Sequence, residues 1–227
     1  MRWLLDNFDY VVDLARTHLY LALTPLLIGL VVAVPVGTAV RAVPWLRRTT
    51  LTAASIAFTI PSLALFVTVP ELFGLSILDP LNVVIALAVY STALLVRTVP
   101  EALDSVPAMV VDAATAMGFT PLRRALAVEL PLAVPVLISG IRVVAVTNIS
   151  LVSVGSLIGI GGLGQLFTAG YQRDYPDQIL AGIIAIVFLA LVCDLLLYLA
   201  GRLLTPWTRS AHGRRDAALL RATEGPG

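Results

Sequence analysis

The sequence predicts an all-α polytopic membrane protein with about five transmembrane helices, and three observations carry that prediction. Of 227 residues, 59% are hydrophobic and 13% charged, against roughly 45–50% and about 25% in soluble domains; the mean hydropathy is +0.95. The apolar excess is gathered into runs of about 20 residues, the length that crosses about 30 Å of hydrocarbon. Arg residues cluster in alternate connections between those runs, as the loops of a multi-pass protein require.

The chain begins with Trp3, Leu4, Phe8, Val11, Val12 and Leu14 at near-helical spacing, interrupted by Asp6, Asp9 and Asp13. This pattern predicts a short extracytoplasmic helix in the membrane interface within residues 1–17. The three acids do not suit a cleavable signal peptide, which starts with a basic region and an unbroken apolar core. Spanning helices are then expected from about His18 to Val40, Thr50 to Phe73, Leu81 to Val99, Pro131 to Ser153 and Gln178 to Leu204, within one transmembrane domain over 18–207. Pro25, Pro35, Pro61 and Pro135 fall inside these spans, where neighbouring helices satisfy the carbonyls that proline frees. Residues 208–227 are polar and Arg-rich, the composition of a disordered cytoplasmic tail, and too few polar residues remain for a soluble second domain.

Charge sets the orientation. Arg41, Arg47 and Arg48 lie between the first two spans, Arg97, Arg123 and Arg124 at or after the third, and Arg202, Arg209, Arg214, Arg215 and Arg221 at the C-terminal end. The alternate connections hold Glu71 and Asp79, then Arg173, Asp174 and Asp177. By the positive-inside rule the N-terminus is outside and the C-terminus cytoplasmic.

Several chemistries are excluded by inventory. All 15 basic residues are Arg, and a P-loop needs a Lys to reach the phosphates, so this chain is not expected to hydrolyse ATP itself. A single cysteine, Cys193, permits no intrachain disulfide or thiolate metal site. His18 and His212 stand at opposite ends of the chain, which excludes Ser-His or Cys-His catalysis; both are expected to be interfacial or tail histidines. No metal site and no nucleic-acid partner are expected.

The most informative segment is DAATAMGFTPLRRALAVELP, Asp112 to Pro131, within a polar loop over 104–131. Met109 to Met117 reads as a helix, preceded by Asp104, Ser105 and Pro107 with turn chemistry. Ala113 and Ala114 are small enough to let another protein surface approach the backbone. Gly118 supplies a sharp turn, Thr120-Pro121 restarts a helix with proline in its first turn, and Arg123 and Arg124 face the cytoplasm or acidic partner groups. Leu130-Pro131 returns the chain to the membrane.

Three further constellations stand out. Gly155-Ser-Leu-Ile-Gly159-Ile-Gly161-Gly162-Leu-Gly164-Gln165 has no surrounding strand or βαβ unit, so it is not read as a nucleotide loop. In a membrane chain such backbone must pack against protein or line a cavity, which suits a subunit interface or an outer gate at Gly159, Gly161, Gly162 and Gly164. Pro61-Ser62 kinks the second span, either for packing or for gating. Arg142 and Asp194 are intramembrane charges; at 1.5 Å per residue they lie at similar depths, roughly 16 Å and 12–15 Å from the cytoplasmic ends of their spans, so an ion pair is expected.

From about His18 to Pro206 the sequence resembles the permease of compatible-solute ABC importers, the glycine betaine/carnitine/choline type. Asp112-Ala-Ala with Gly118 and Val128-Glu-Leu-Pro resembles the EAA loop of ABC importers generally. Ile60-Pro-Ser-Leu-Ala-Leu, Glu129-Leu-Pro-Leu-Ala-Val-Pro-Val, Ile138-Ser-Gly-Ile-Arg, Leu157-Ile-Gly-Ile-Gly-Gly-Leu-Gly, Cys193-Asp-Leu-Leu-Leu and Leu204-Thr-Pro narrow the branch. Asp112 departs from the usual Glu but keeps the charge. The resemblance implies a type I permease fold and a bacterial inner-membrane location. It implies two ATPase subunits, which use ATP and Mg, while this chain binds no cofactor; a second permease, identical or paralogous; and an extracytoplasmic solute-binding protein. It assigns ATPase coupling to Asp112, Ala113, Ala114, Met117, Gly118, Thr120, Arg123, Leu130 and Pro131. Ser91, Thr92, Asn148 and Ser150 are candidates to line the pathway, each equally suited to a helix–helix hydrogen bond. Gly170-Tyr171-Gln172-Arg173 is similar to a stretch of methionine-importer permeases, which keeps methionine as the alternative substrate. A secondary transporter working without an ATPase and a scaffold protein are the competing classes.

Overall fold

A computed structural model of the chain describes residues 3 and 6–208, and no strand occurs among them. Beyond Thr208 the expected disordered tail, with His212, lies outside the described residues.

Helix α1 (Phe8–Ala42) runs without a break through Pro25 and Pro35. From Phe8 onward, the residues expected in a separate interfacial helix ending before His18 continue into the first span. Val11 and Leu14 among them are buried against Leu163 and Leu166. His18 is also corrected: it is fully buried, with Nε2 2.8 Å from the Ile149 carbonyl. A carbonyl only accepts, so Nε2 carries the proton and donates.

Helix α2 (Pro44–Thr59) and helix α3 (Ser62–Phe73) occupy the expected second span but are bent by 99°. Pro61 has no amide to give and pushes Ile60 out of the helical region, to φ −65° and ψ 129°. The Ile60 carbonyl freed at the break accepts the Tyr90 hydroxyl, and the Tyr90 ring meets Phe58 edge-on at 5.5 Å. The anticipated kink is thus a full corner, stabilised from the neighbouring helix α4 (Leu81–Asp104).

Helix α4 is the central element and continues past the expected Val99 to Asp104, through Pro100. Its partner α1 presents Gly29, Ala33 and Gly37 at fourfold spacing, one face of a helix. A Cβ on Gly29 would stand 2.6 Å from Ser91 Cβ, and one on Gly37 2.7 Å from Val99 Cβ. Ala33 between them is fully buried. Small residues here let the two backbones approach closely, the usual basis of helix association in lipid.

After the 104–131 segment come helix α7 (Leu130–Gly155), two 3₁₀ turns (Ser156–Ile158 and Gly162–Gly164), helix α8 (Gln165–Gln172) and helix α9 (Pro176–Leu204). Helix α8 was not foreseen. Among the described residues four helical stretches are long and apolar enough to cross a bilayer, and the bent pair α2–α3 makes a fifth if counted as one. Helix α9 exposes Ile183, Val187, Phe188, Leu191 and Leu195 along its length, the surface expected toward lipid tails.

Candidate functional site

The polar segment folds as helix α5 (Ala108–Ala116), a turn, helix α6 (Pro121–Arg124) and a π-helical stretch (Ala125–Glu129) that runs into α7. Gly118 has φ +80°, a left-handed conformation that non-glycine residues disfavour, and the Phe119 amide closes the turn on the Ala114 carbonyl at 3.2 Å. Thr120 is extended and Pro121 occupies the first turn of α6, where the missing amide is not needed. The π stretch precedes Pro131, which cannot supply an amide to the carbonyls below it; the Leu130 amide bonds Ala125 O instead.

Helix α5 presents Met109 and Ala113 on one exposed face, continued by Met117 at its C-cap, with Asp112 and Ala116 exposed beside them. Met109 is 82% exposed and Met117 70%, adaptable apolar side chains at helical spacing with no cover from this chain. Ala114 is buried at 1%. Of the alanine pair, then, only Ala113 is open to a second protein, because successive helical positions point about 100° apart. Arg123 is exposed and its guanidinium lies 4.8 Å above the Phe119 ring. Arg124 does not face outward as expected: it turns in to Glu129 (Nε to Oε1, 2.8 Å) and donates to Thr115 Oγ1 (2.8 Å).

That inward turn belongs to an ionic cluster whose members are far apart in the sequence. The Glu129 side chain is 3% exposed and accepts from Arg124 on Oε1 and from Arg41, at the end of α1, on Oε2. Arg41 also reaches Asp104 at 2.8 Å, and Arg47 of α2 pairs with the other Asp104 oxygen at 2.9 Å. Burying a carboxylate is tolerated when it is paired and hydrogen-bonded. The only sequence signal was an acid immediately before Leu130-Pro131, with arginines in each preceding connection on that side.

The glycine-rich turn lies at the opposite end of α7. Gly161, Gly162 and Gly164 are buried, whereas Gly159, with φ +86°, is exposed. A Cβ on Gly162 would stand 2.6 Å from His18 Cβ, and one on Gly155 2.3 Å from the Ile160 carbonyl oxygen. The turn is therefore seated on α1 and on the end of α7. At the α2–α3 corner Pro61 is exposed and Ser62 half-buried.

The intramembrane polar residues divide into three environments. Arg142 and Asp194 form a two-armed pair between α7 and α9, with Nε–Oδ1 2.7 Å and Nη2–Oδ2 2.6 Å; the Arg142 guanidinium also lies 5.3 Å from the Tyr198 ring. Ser91 and Asn148 are fully buried in a three-helix knot: Asn148 Nδ2 donates to Ser91 Oγ at 2.9 Å and to the Ala22 carbonyl at 3.0 Å. This is the helix–helix alternative that the sequence left open for them. Thr92 lines an apolar cleft of about 550 Å³ with Ile28, Thr50, Ala53 and Val89, and Ser150 is exposed on α7.

Comparison with known proteins places this architecture. Residues 26–210 match the family model described as binding-protein-dependent transport system inner membrane component. The chain is 36% identical over 208 residues to the osmoprotectant import permease protein OsmW of Salmonella typhimurium, covering 91% of this chain and 97% of that protein. It is 31% identical over 189 residues to the choline transport system permease protein OpuBB of Bacillus subtilis, covering 83% and 86%. Its fold matches a chain of the inward-facing MetNI methionine ABC transporter with a TM-score of 0.77 and 25% identity, over 87% of this chain and 97% of that one. With the apolar helices, the exposed α5 and the family match over most of its length, the chain belongs to the binding-protein-dependent transport system inner membrane component family, the permeases of ABC importers.

Proposed function

We propose that the chain is the membrane-spanning permease of an ATP-driven importer for a compatible solute such as glycine betaine, choline, carnitine or proline betaine, and that α5 is its contact with a separate ATPase. The observation that supports this most is the geometry of α5 itself. A short helix between apolar spans exposes Met109, Asp112, Ala113 and Met117 and ends at the left-handed Gly118. Uncovered small and adaptable side chains on a rigid helix suit a protein groove. Asp112, Ala113, Met117, Gly118, Thr120 and Arg123 form that contact, and Leu130 and Pro131 anchor its return. Two ATPase subunits hold ATP and Mg; a second permease, identical or paralogous, completes the pathway; an extracytoplasmic binding protein delivers the solute. ATP-driven closure of the ATPases moves α5, and the spans alternate between inward- and outward-facing states. The glycine-rich turn and Pro61-Ser62 bound the outer gate or the subunit interface, with the N-terminus outside and the C-terminus in the cytoplasm.

The substrate class rests on the names borne by relatives, osmoprotectant for one and choline for another. Methionine is the second reading, favoured by the Gly170-Tyr171-Gln172-Arg173 stretch and by the fold likeness to a methionine transporter chain. The test is uptake into proteoliposomes containing the permease, its ATPase and its binding protein, with labelled glycine betaine, choline, carnitine and methionine. ATP-dependent uptake of a quaternary ammonium solute is expected. Methionine uptake alone would overturn the substrate, and uptake without the ATPase would overturn the mechanism.

A further inference from the structure

The coupling segment is joined to the membrane helices by more than its peptide backbone. A continuous set of polar contacts runs from Thr115 on α5 to Arg124, on to Glu129, across to Arg41 at the end of α1, and through Asp104 at the end of α4 to Arg47 on α2. Glu129 is the member both most buried and shared: one oxygen serves Arg124, which holds α5, and the other serves Arg41, which ends α1. Three guanidinium groups meet two carboxylates, Glu129 and Asp104. No other acid among the described residues pairs with Arg124.

The link also contains a deformable joint. Arg124 immediately precedes the π-helical stretch Ala125–Glu129, and Glu129 is its last residue. Single-turn π segments carry one residue more than an α-helical ladder and occur often at functional sites. Shifting the ladder by one residue would turn Glu129 by about 100° relative to Arg124, so that its carboxylate could no longer serve both arginines.

We propose that Glu129 is a positioning residue for transport: its shared carboxylate carries displacement of α5 into α1 and α4, with the π stretch as the joint that makes or breaks the connection. This rests on the reading of α5 as the ATPase contact. A charged hydrogen bond at each carboxylate oxygen is directional and strong in partly buried surroundings. Movement of the Arg124 end is therefore passed to Arg41 rather than absorbed by a flexible loop.

The experiment uses the whole transporter in proteoliposomes and reads solute imported per ATP hydrolysed, alongside the amount of ATPase co-purifying with the permease. Glu129→Gln keeps the shape and removes the charge. It is expected to retain the ATPase and hydrolyse ATP within about threefold of wild type, while import per ATP falls at least tenfold. Glu129→Asp, which keeps the carboxylate, is expected to recover part of that ratio. Thr115→Val removes only the α5 end of the link, at an exposed position, and is expected to lower the ratio about threefold. A wild-type ratio in Glu129→Gln overturns the proposal; so does a wild-type ratio in Thr115→Val if Glu129→Gln fails to accumulate. Failure of the wild-type permease to bind the ATPase would instead overturn the reading of α5 and this inference with it.

Discussion

Two segments leave the spanning helices, and they are held by different balances of packing and charge. The glycine-rich turn over 155–164 is fixed by exclusion: backbone lies against backbone, Gly162 sits on His18, and Ile160 and Leu163 are buried. The segment over 104–131 adds charge: α5 rests on the core through Val110, Val111 and Ala114 but keeps an exposed outer face, and it is tied back through Arg124, Glu129 and Arg41. Dense packing resists displacement in every direction, whereas an ionic link passes force along its own line and leaves the outer face free. The first arrangement suits a part that keeps its shape, the second the ATPase contact proposed for α5.

The largest expected effect lies in the packed turn. Gly162→Val places a side chain within 2.7 Å of the His18 backbone and should destabilise the detergent-solubilised protein by roughly 3 kcal/mol, read as a fall in thermal midpoint. A midpoint near wild type would mean that the turn is not seated on α1. Next is the pair between α7 and α9. Arg142→Asp or Asp194→Arg alone should lower the thermal midpoint and the uptake rate, and the double reversal should restore most of both; without rescue, the two groups do not act as a pair.

Gly118→Ala tests the exposed segment. Nothing lies within 4 Å of its added Cβ, so only the φ of +80° is strained, costing about 1 kcal/mol. The expected result is a modest midpoint shift with a clear loss of ATPase co-purification, the reverse of the balance at Gly162. The smallest effects separate the polar residues. Asn148→Ala should cost about 1 kcal/mol by removing interhelical hydrogen bonds, while Ser150→Ala should stay within about 0.5 kcal/mol. Equal effects at the two positions would show that the Asn148 contacts carry no stability.

Much of this was legible before the structure. The apolar runs marked the long helices, Gly118 and Thr120-Pro121 marked the turn and restart of the 104–131 segment, and matched depths paired Arg142 with Asp194. These signals are local or depend on one repeating rise per residue, so a linear reading suffices. What escaped was non-local. The apolar spacing near the N-terminus does not show that Val11 and Leu14 pack against the distant Leu163 and Leu166 as part of the long helix α1. His18 looked interfacial because the Ile149 carbonyl that satisfies it comes from another helix.

The amino-acid sequence by itself determined that this is a helical membrane protein, which stretches are apolar enough to cross, and which short segment stands apart from them. Hydrophobic length and the backbone limits of glycine and proline are properties of neighbouring residues, and they act wherever the rest of the chain lies. Only the tertiary structure decided which polar side chains meet. Glu129 became the meeting point of Arg124 and Arg41, Ser91 and Asn148 became a buried knot, and Ala114 turned inward while Ala113 stayed open. The reason is that a charge or amide in a helix has a direction as well as a position. Its partner is set by how the helices pack around α4, which in turn depends on the close approach at Gly29 and Gly37.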